Sequence, residues 1–217
     1  MSEYEKNIER LYQEPVFAKG GGVCRSPWDI DWQDEPFSPR DETLISPIKL
    51  PGIMKDIWEK GEPTKTSAVY IHVPFCRLSC TYCAFYKKQA DEAAQHAYAN
   101  LLVKEIQSLQ NRPYLTRSKI SSIFFGGGTP GILSAADISS IMEAIHEVLP
   151  LIKDAEITME SSLSDMTEEK MDAAISCGVN RFSFGVQSFD TKIRNAVGRP
   201  LPREEVLKKL SAFAKKD

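Results

Sequence analysis

The sequence predicts an α/β fold, a parallel sheet wound as a partial (β/α) TIM-like barrel. Three observations predict it. Four short apolar, β-branched runs recur after residue 66, and continuous runs of this kind mark the strands of a parallel sheet covered on both faces. Stretches of helical periodicity alternate with them and give four successive strand–helix units. The reactive and glycine-rich motifs fall at the C-terminal ends of consecutive strands. In a parallel barrel those ends share one face, the face where active sites form. A doubly wound sheet also satisfies the first two observations; the third favours the barrel.

The units follow in order. Ala68–Val73 (AVYIHV) reads as the first strand. A helix over about residues 91–111 carries Tyr98, Leu101, Leu102, Ile106 and Leu109 at helical spacing. Ser121–Phe125 (SSIFF) is the second strand. Ser134 caps a helix through Ile138, Ile141, Ile145 and Val148, and Pro150 ends it. Ala155–Glu160 (AEITME) is the third strand, and Thr167 starts a helix past Met171 and Ile175 that stops at Gly178. Arg181–Val186 (RFSFGV) is the fourth strand. Helices over residues 191–197 and 203–216 close the chain.

Residues 1–66 read differently. They hold seven of the thirteen prolines, a Gly20-Gly21-Gly22 run and an acidic, tryptophan-bearing stretch from Trp28 to Phe37. An irregular N-terminal arm is expected there, with one short helix near Ile53–Lys60, ahead of a barrel over residues 67–217.

Bulk properties narrow the function. Of 217 residues, 42% are apolar and 26% charged, as in an ordinary globular protein. A net charge of −3 argues against a general nucleic-acid or membrane-surface binder. No apolar run approaches the roughly 20 residues of a membrane span. The start, MSEYEKNIER, lacks the apolar core of a signal peptide. A cytoplasmic location follows as the expectation. In that reducing setting five clustered or scattered cysteines point to metal ligands rather than disulfides.

Cys76, Cys80 and Cys83, in CRLSCTYC, follow the first strand at spacings of four and three. Their thiolates suit soft metals. A structural zinc would need a fourth ligand from Cys24, Cys177 or His72, and none lies at a zinc-like spacing on a second knuckle. A four-iron cluster on three cysteines leaves one iron open to a small-molecule ligand. GGGTP (Gly126 to Pro130) follows the second strand, where glycines let backbone amides approach a ligand; a tight turn is the simpler reading. Glu160 ends the third strand, Gln187 lies just past the fourth, and Arg199 follows twelve residues later. Taken singly, each is an ordinary loop or strand-end residue. His96 and His146 read as helix-surface residues, His72 as structural, and Cys177 as a small buried apolar residue. Lys87 and Lys88 read as a solvated face.

The motif C-x3-C-x2-C resembles that of the radical S-adenosylmethionine (SAM) enzymes, and Tyr82 before the last cysteine is a further family feature. The resemblance implies a [4Fe-4S] cluster whose open iron binds the amino and carboxylate groups of SAM. Electron transfer then cleaves SAM to a 5′-deoxyadenosyl radical. YIHVPFC (Tyr70 to Cys76), FGGGTP (Phe125 to Pro130), EITME (Glu156 to Glu160), NRFSFGVQSF (Asn180 to Phe189) and VGR (Val197 to Arg199) resemble one branch. That branch is the oxygen-independent coproporphyrinogen III dehydrogenases and their relatives, and the resemblance spans about residues 67–200. It implies that Cys76, Cys80 and Cys83 hold the cluster. Tyr70 is expected beside cluster and SAM as the catalytic residue. Tyr82, Gly127, Gly128, Thr129, Glu160, Gln187 and Arg199 are expected to line the SAM pocket.

Within the branch, CTYCAFYKK, FDTKIRNAVGR and the proline-rich lead-in are most similar to the haem-utilisation, or haem-degrading, methyltransferases. The dehydrogenases carry a further cysteine where this chain has Phe85. The alternatives are a coproporphyrinogen III dehydrogenase and a haem chaperone that holds a cluster without tetrapyrrole turnover. A haem or coproporphyrinogen substrate and an electron donor such as flavodoxin or ferredoxin are implied, with no nucleic acid and no membrane span. Barrels of the family have six strand–helix units. Four are present here, so a barrel truncated at its C-terminus is expected.

Overall fold

The computed structural model describes residues 48–63, 66–84 and 88–216, and the backbone of residues 18–19 and 22–23. Cys24, the Trp28–Phe37 stretch, Phe85 and Lys87 lie outside the described residues. Within residues 1–50, β1 (Ala18–Lys19) and β2 (Gly22–Val23) pair antiparallel, a hairpin that the sequence reading did not anticipate. Residues 51–217 form a separate compact unit.

That unit is built on four parallel strands: β3 (Ser67–Val73), β4 (Ile120–Gly127), β5 (Leu151–Ser161) and β6 (Arg181–Phe184). They pair in the order β3-β4-β5-β6. The order decides between the two windings. A doubly wound sheet reverses direction at a switch point; this one advances by one strand at each crossover. Crossovers of one hand then put every helix on the same side.

The register shows which side. Tyr70, Phe124, Thr158 and Arg181 line up across the sheet, as do Glu160 and Ser183. The neighbouring positions Ile71, Val73, Ile123, Phe125, Ile157 and Met159 are buried, with Ile138, Ile141, Met142 and Ile145 of the α4 helix in the same core. The sequence reading expected both faces of the sheet to be covered. In this unit one face is, and the other carries exposed Tyr70, His72, Glu156, Arg181 and Ser183. This second face corresponds to the interior of a barrel, so side chains there answer to the site rather than to the core.

The helices are α1 (Leu50–Lys60), α2 (Glu92–Ser108), α3 (Pro113–Arg117), α4 (Ala135–Val148), α5 (Glu168–Ser176), α6 (Thr191–Ala196) and α7 (Arg203–Phe213). Asp91, Ser134 and Thr167 cap α2, α4 and α5 by accepting from Ala94, Asp137 and Lys170 amides, the usual answer to the unpaired amides of a helix start. Two starts were misjudged. α1 begins three residues before Ile53 because Pro51 is tolerated in a first helical turn. β5 begins at Leu151, where polar Lys153 and Asp154 and a register shift hid the strand. β6 ends at Phe184, because the Val186 amide turns back to the Phe184 carbonyl at 2.9 Å. α3 was not foreseen. It is a single turn with Pro113 at its start, and its Tyr114 meets Trp58 edge to face at 5.8 Å.

Candidate functional site

The cysteine loop leaves β3 and is closed at its base by Phe75 and Lys88. The Cys76 amide donates to the Lys88 carbonyl at 3.1 Å, and the Lys88 amide to the Pro74 carbonyl at 2.9 Å. Phe75 is buried and meets Tyr98 edge to face at 5.2 Å, which anchors the loop to α2. Cys76, Cys80 and Cys83 are half-buried, reduced thiols on this loop.

The glycine loop after β4 seats directly against Cys76. The Gly128 amide donates to the Val73 carbonyl and the Thr129 amide to the Phe75 carbonyl, both at 2.8 Å. Thr129 Oγ1 lies 3.4 Å from Cys76 Sγ. A Cβ at Gly128 would fall 2.5 Å from the Phe75 oxygen and 3.0 Å from Cys76 Sγ. Only glycine permits this approach, which seats the turn against Cys76.

The other end of the cysteine loop rests on the segment after α6. The Thr81 amide donates to the Val197 carbonyl at 3.3 Å. Arg199 Nη2 donates to the Tyr82 hydroxyl at 3.2 Å. Burial works against the Arg199 charge, but Tyr82 and the Cys80 thiol beside it more than offset this and raise its pKa. Burial raises the Tyr82 pKa, against the pull of Arg199. A methyl on Gly185 would lie 3.0 Å from Gln187 Nε2 and 3.3 Å from Arg199 Nη2, so both side chains stand over the same piece of backbone.

Tyr70, His72 and Glu160 occupy the uncovered face of the sheet. Tyr70 Oη lies 3.0 Å from His72 Nδ1, and the Tyr70 ring stacks on Phe124 at 6.3 Å. Burial, then the Glu160 charge, raises the Tyr70 pKa. Burial likewise raises that of Glu160. His72 was set aside in the sequence as structural because Ile71 and Val73 face away from it. That alternation holds, yet it puts His72 on the face of Tyr70, and this is the signal that was available.

Two further side chains escaped the sequence reading. Arg77, next to Cys76, donates from Nε to Asp165 Oδ1 at 2.6 Å, and Ser162 donates to the other oxygen at 2.6 Å. This ties the cysteine loop to the loop after β5, a pairing across 88 residues that no local pattern signals. The helix histidines have partners: His96 Nδ1 lies 2.6 Å from Asp137 Oδ1, and His146 Nε2 donates to the Cys177 carbonyl at 2.8 Å. Cys177 packs against the core, with its thiol 3.6 Å from Ser139 Oγ.

The site thus has three joined parts on one rim: Cys76 with Gly128 and Thr129; Cys80 with Tyr82, Arg199 and Gln187; and Tyr70 with His72 and Glu160. Among the described residues no three His, Cys, Asp or Glu side chains converge as ligands of one metal ion. The buried Arg199 Nε has no hydrogen-bond partner among the described residues. A buried donor left over in this way is the trace of a place where a ligand supplies the acceptor. With the close approach at Gly128, the residues fit a cluster and an anionic ligand at one rim.

The family comparison agrees with that geometry: the model of the Radical SAM superfamily matches residues 70–217. The chain belongs to the radical SAM superfamily. Members use a [4Fe-4S] cluster and S-adenosylmethionine. The anaerobilin synthase of Escherichia coli O157:H7 is 32% identical over 191 residues, 85% of this chain and 43% of that protein. The oxygen-independent coproporphyrinogen III oxidase of Paracoccus denitrificans is 36% identical over 134 residues, 61% of this chain and 29% of that one. The heme chaperone HemW of Lactococcus lactis is 35% identical over 135 residues, 62% of this chain and 34% of that one. Among solved structures, coproporphyrinogen III oxidase (HemN) from Escherichia coli superposes with a TM-score of 0.66 at 26% identity, covering 76% of this chain and 37% of that chain. The radical SAM chain described here therefore spans less than half the length of these relatives. No helix among its described residues is long and apolar enough to cross a membrane.

Proposed function

We propose that this chain forms the cofactor-binding part of a radical SAM enzyme that acts on a porphyrin or haem, of the haem-degrading type. One observation carries the choice of type. The likeness to anaerobilin synthase covers 85% of the chain, more than residues 67–217 hold, and so extends into the N-terminal arm. The likenesses to the coproporphyrinogen oxidase and the chaperone cover 61% and 62%.

In this reading Cys76, Cys80 and Cys83 hold the cluster. When bound, cluster and SAM supply an electron and a carbon-centred radical. The chain's own residues bind, orient and shield. Arg199 offers a planar fork of donors to a carboxylate or ribose hydroxyl. Glu160, on the inner face, accepts from an ammonium group. Amides of the Gly127–Thr129 turn approach the ligand where side chains cannot. Tyr82 holds Arg199 in place, and Gln187 stands beside it. Tyr70 and His72 can hold or exchange a proton between Oη and Nδ1, according to the histidine tautomer, on the face where a macrocycle would lie. The electron comes from an external donor such as a flavodoxin or ferredoxin, in a reducing, cytoplasmic setting.

Anaerobic reconstitution with iron and sulfide, followed by SAM, dithionite and haem, tests the proposal. Conversion of haem to an opened or methylated tetrapyrrole supports it. Conversion of coproporphyrinogen III instead would favour the oxidase relative, and haem binding without turnover the chaperone relative.

A further inference from the structure

Arg194 is the most deeply buried charged side chain described, 2% exposed, in the short helix α6. Its Nε donates to the Leu201 carbonyl at 2.7 Å, and its Nη1 to the carbonyls of Val186 and, at 3.2 Å, Ser188. Burying a guanidinium is costly, and an apolar side chain of similar volume packs at less expense. The reason for a cation here lies in the acceptors. Gln187 has φ 66, a left-handed backbone that a non-glycine residue adopts only when its surroundings impose it. The flanking carbonyls of Val186 and Ser188 both turn to Arg194, and buried carbonyls need donors. One planar fork of donors serves three carbonyl acceptors at once; a lysine ammonium does so with poorer fit.

The same residue controls the second arm of the site. The Arg199 amide donates to the Arg194 carbonyl at 2.8 Å, and Leu201 lies two residues beyond Arg199. The Arg194 side chain thus braces the backbone on both sides of Gln187 and, at Leu201, just beyond Arg199; the Gln187 and Arg199 side chains meet over Gly185. The bond to the Arg199 amide comes from the Arg194 main chain. Burial and the nearby Arg199 charge lower the Arg194 pKa, as two cations in one braced segment require.

We propose that Arg194 is a positioning residue: it fixes the left-handed turn at Gln187 and the path of Arg199, and through them sets the affinity for SAM while touching no ligand itself. This rests on the reading above that Gln187 and Arg199 line the SAM site.

The test uses the full chain, reconstituted anaerobically, as wild type, R194M and R194K. Three quantities are read: iron and sulfide content, the melting temperature, and the SAM dissociation constant from the change that SAM causes in the electron paramagnetic resonance spectrum of the reduced cluster. R194M is expected to keep its iron and sulfide and to bind SAM about tenfold more weakly. R194K is expected to recover part of that loss. If R194M melts lower but binds SAM within about twofold of wild type, the arginine is purely structural and the proposal is overturned. If R194M does not fold, R194K decides by the same titration, and wild-type affinity there overturns it. If wild type itself shows no spectral response to SAM, the reading of the pocket has failed and the role of Arg194 falls with it. A wild-type response matched by both variants sinks the positioning role alone.

Discussion

Arg199 Nη2 and the Tyr82 hydroxyl meet at 3.2 Å across 117 residues of sequence. The contact joins the cysteine loop to the segment after α6, while the buried Arg199 Nε has no hydrogen-bond partner among the described residues. Removing the hydroxyl in Y82F should loosen the guanidinium and takes away one neighbour of the Cys80 thiol, while all three thiols stay in place. A hydrogen bond to a charged group at a half-open site is worth roughly 1 kcal/mol. Y82F is therefore expected to bind SAM about fivefold more weakly at unchanged iron content, as read by titration of the reconstituted protein.

The three cysteines lie outside the buried core. C76A, C80A and C83A should each lose most of the bound iron and sulfide, while the melting temperature of the iron-free protein stays within about 2 °C of the parent's, a fraction of a kcal/mol for a chain of this size. A collapse of the far-ultraviolet circular dichroism in any of the three would mean that the loop supports the fold.

Gly198 has φ 78, and a Cβ there would lie 2.9 Å from the Ser79 oxygen and 3.3 Å from the Cys80 Cα. G198A must strain its backbone or push the cysteine loop away. The expected cost is about 1–3 kcal/mol, seen as a lower urea midpoint, together with reduced iron retention. Unchanged values for both would show that the contact at Ser79 is slack.

Glu160 makes stability depend on pH. Burial raises its folded pKa above the model-compound value of 4.5, so the folded state holds the proton more tightly than the unfolded chain. Stability from this group is complete below the unfolded pKa and declines as pH rises through the folded one. E160Q removes the titration. It is expected to be more stable than wild type near neutrality, with the difference closing below about pH 4.5, and to bind SAM more weakly. Urea midpoints at the two ends of that range check the sign.

Much of this architecture was legible in the residues. Period and capping located α2, α4 and α5, because Asp91, Ser134 and Thr167 each stand before an amphipathic run. The four strands were found because their outer faces are apolar, though their ends were not, since polar residues such as Lys153 belong to β5 without contributing to the core. Cys76 and Thr129 lie side by side, as loops at neighbouring strand ends allow, and Tyr82 and Arg199 make a second, separate pair. What stayed hidden was contact between distant loops. The partner of Arg77, Asp165, is set by the winding of the sheet 88 residues on, while Arg194 holds carbonyls only six to eight residues away, in irregular backbone that no periodicity marks. His72 was visible as a strand residue; the alternation that set it aside also puts it on the exposed face beside Tyr70.

The Phe75–Lys88 bridge pins the cysteine loop at its two feet, while the apolar core forms between the outer strand face and the helices. The three thiols lie outside that core, so the scaffold is expected to assemble without the inorganic centre. Oxygen that destroys such a centre would strip the rim and spare the foundation. The same polypeptide could then be recharged in place by fresh iron and sulfide, with no need to be degraded and made again.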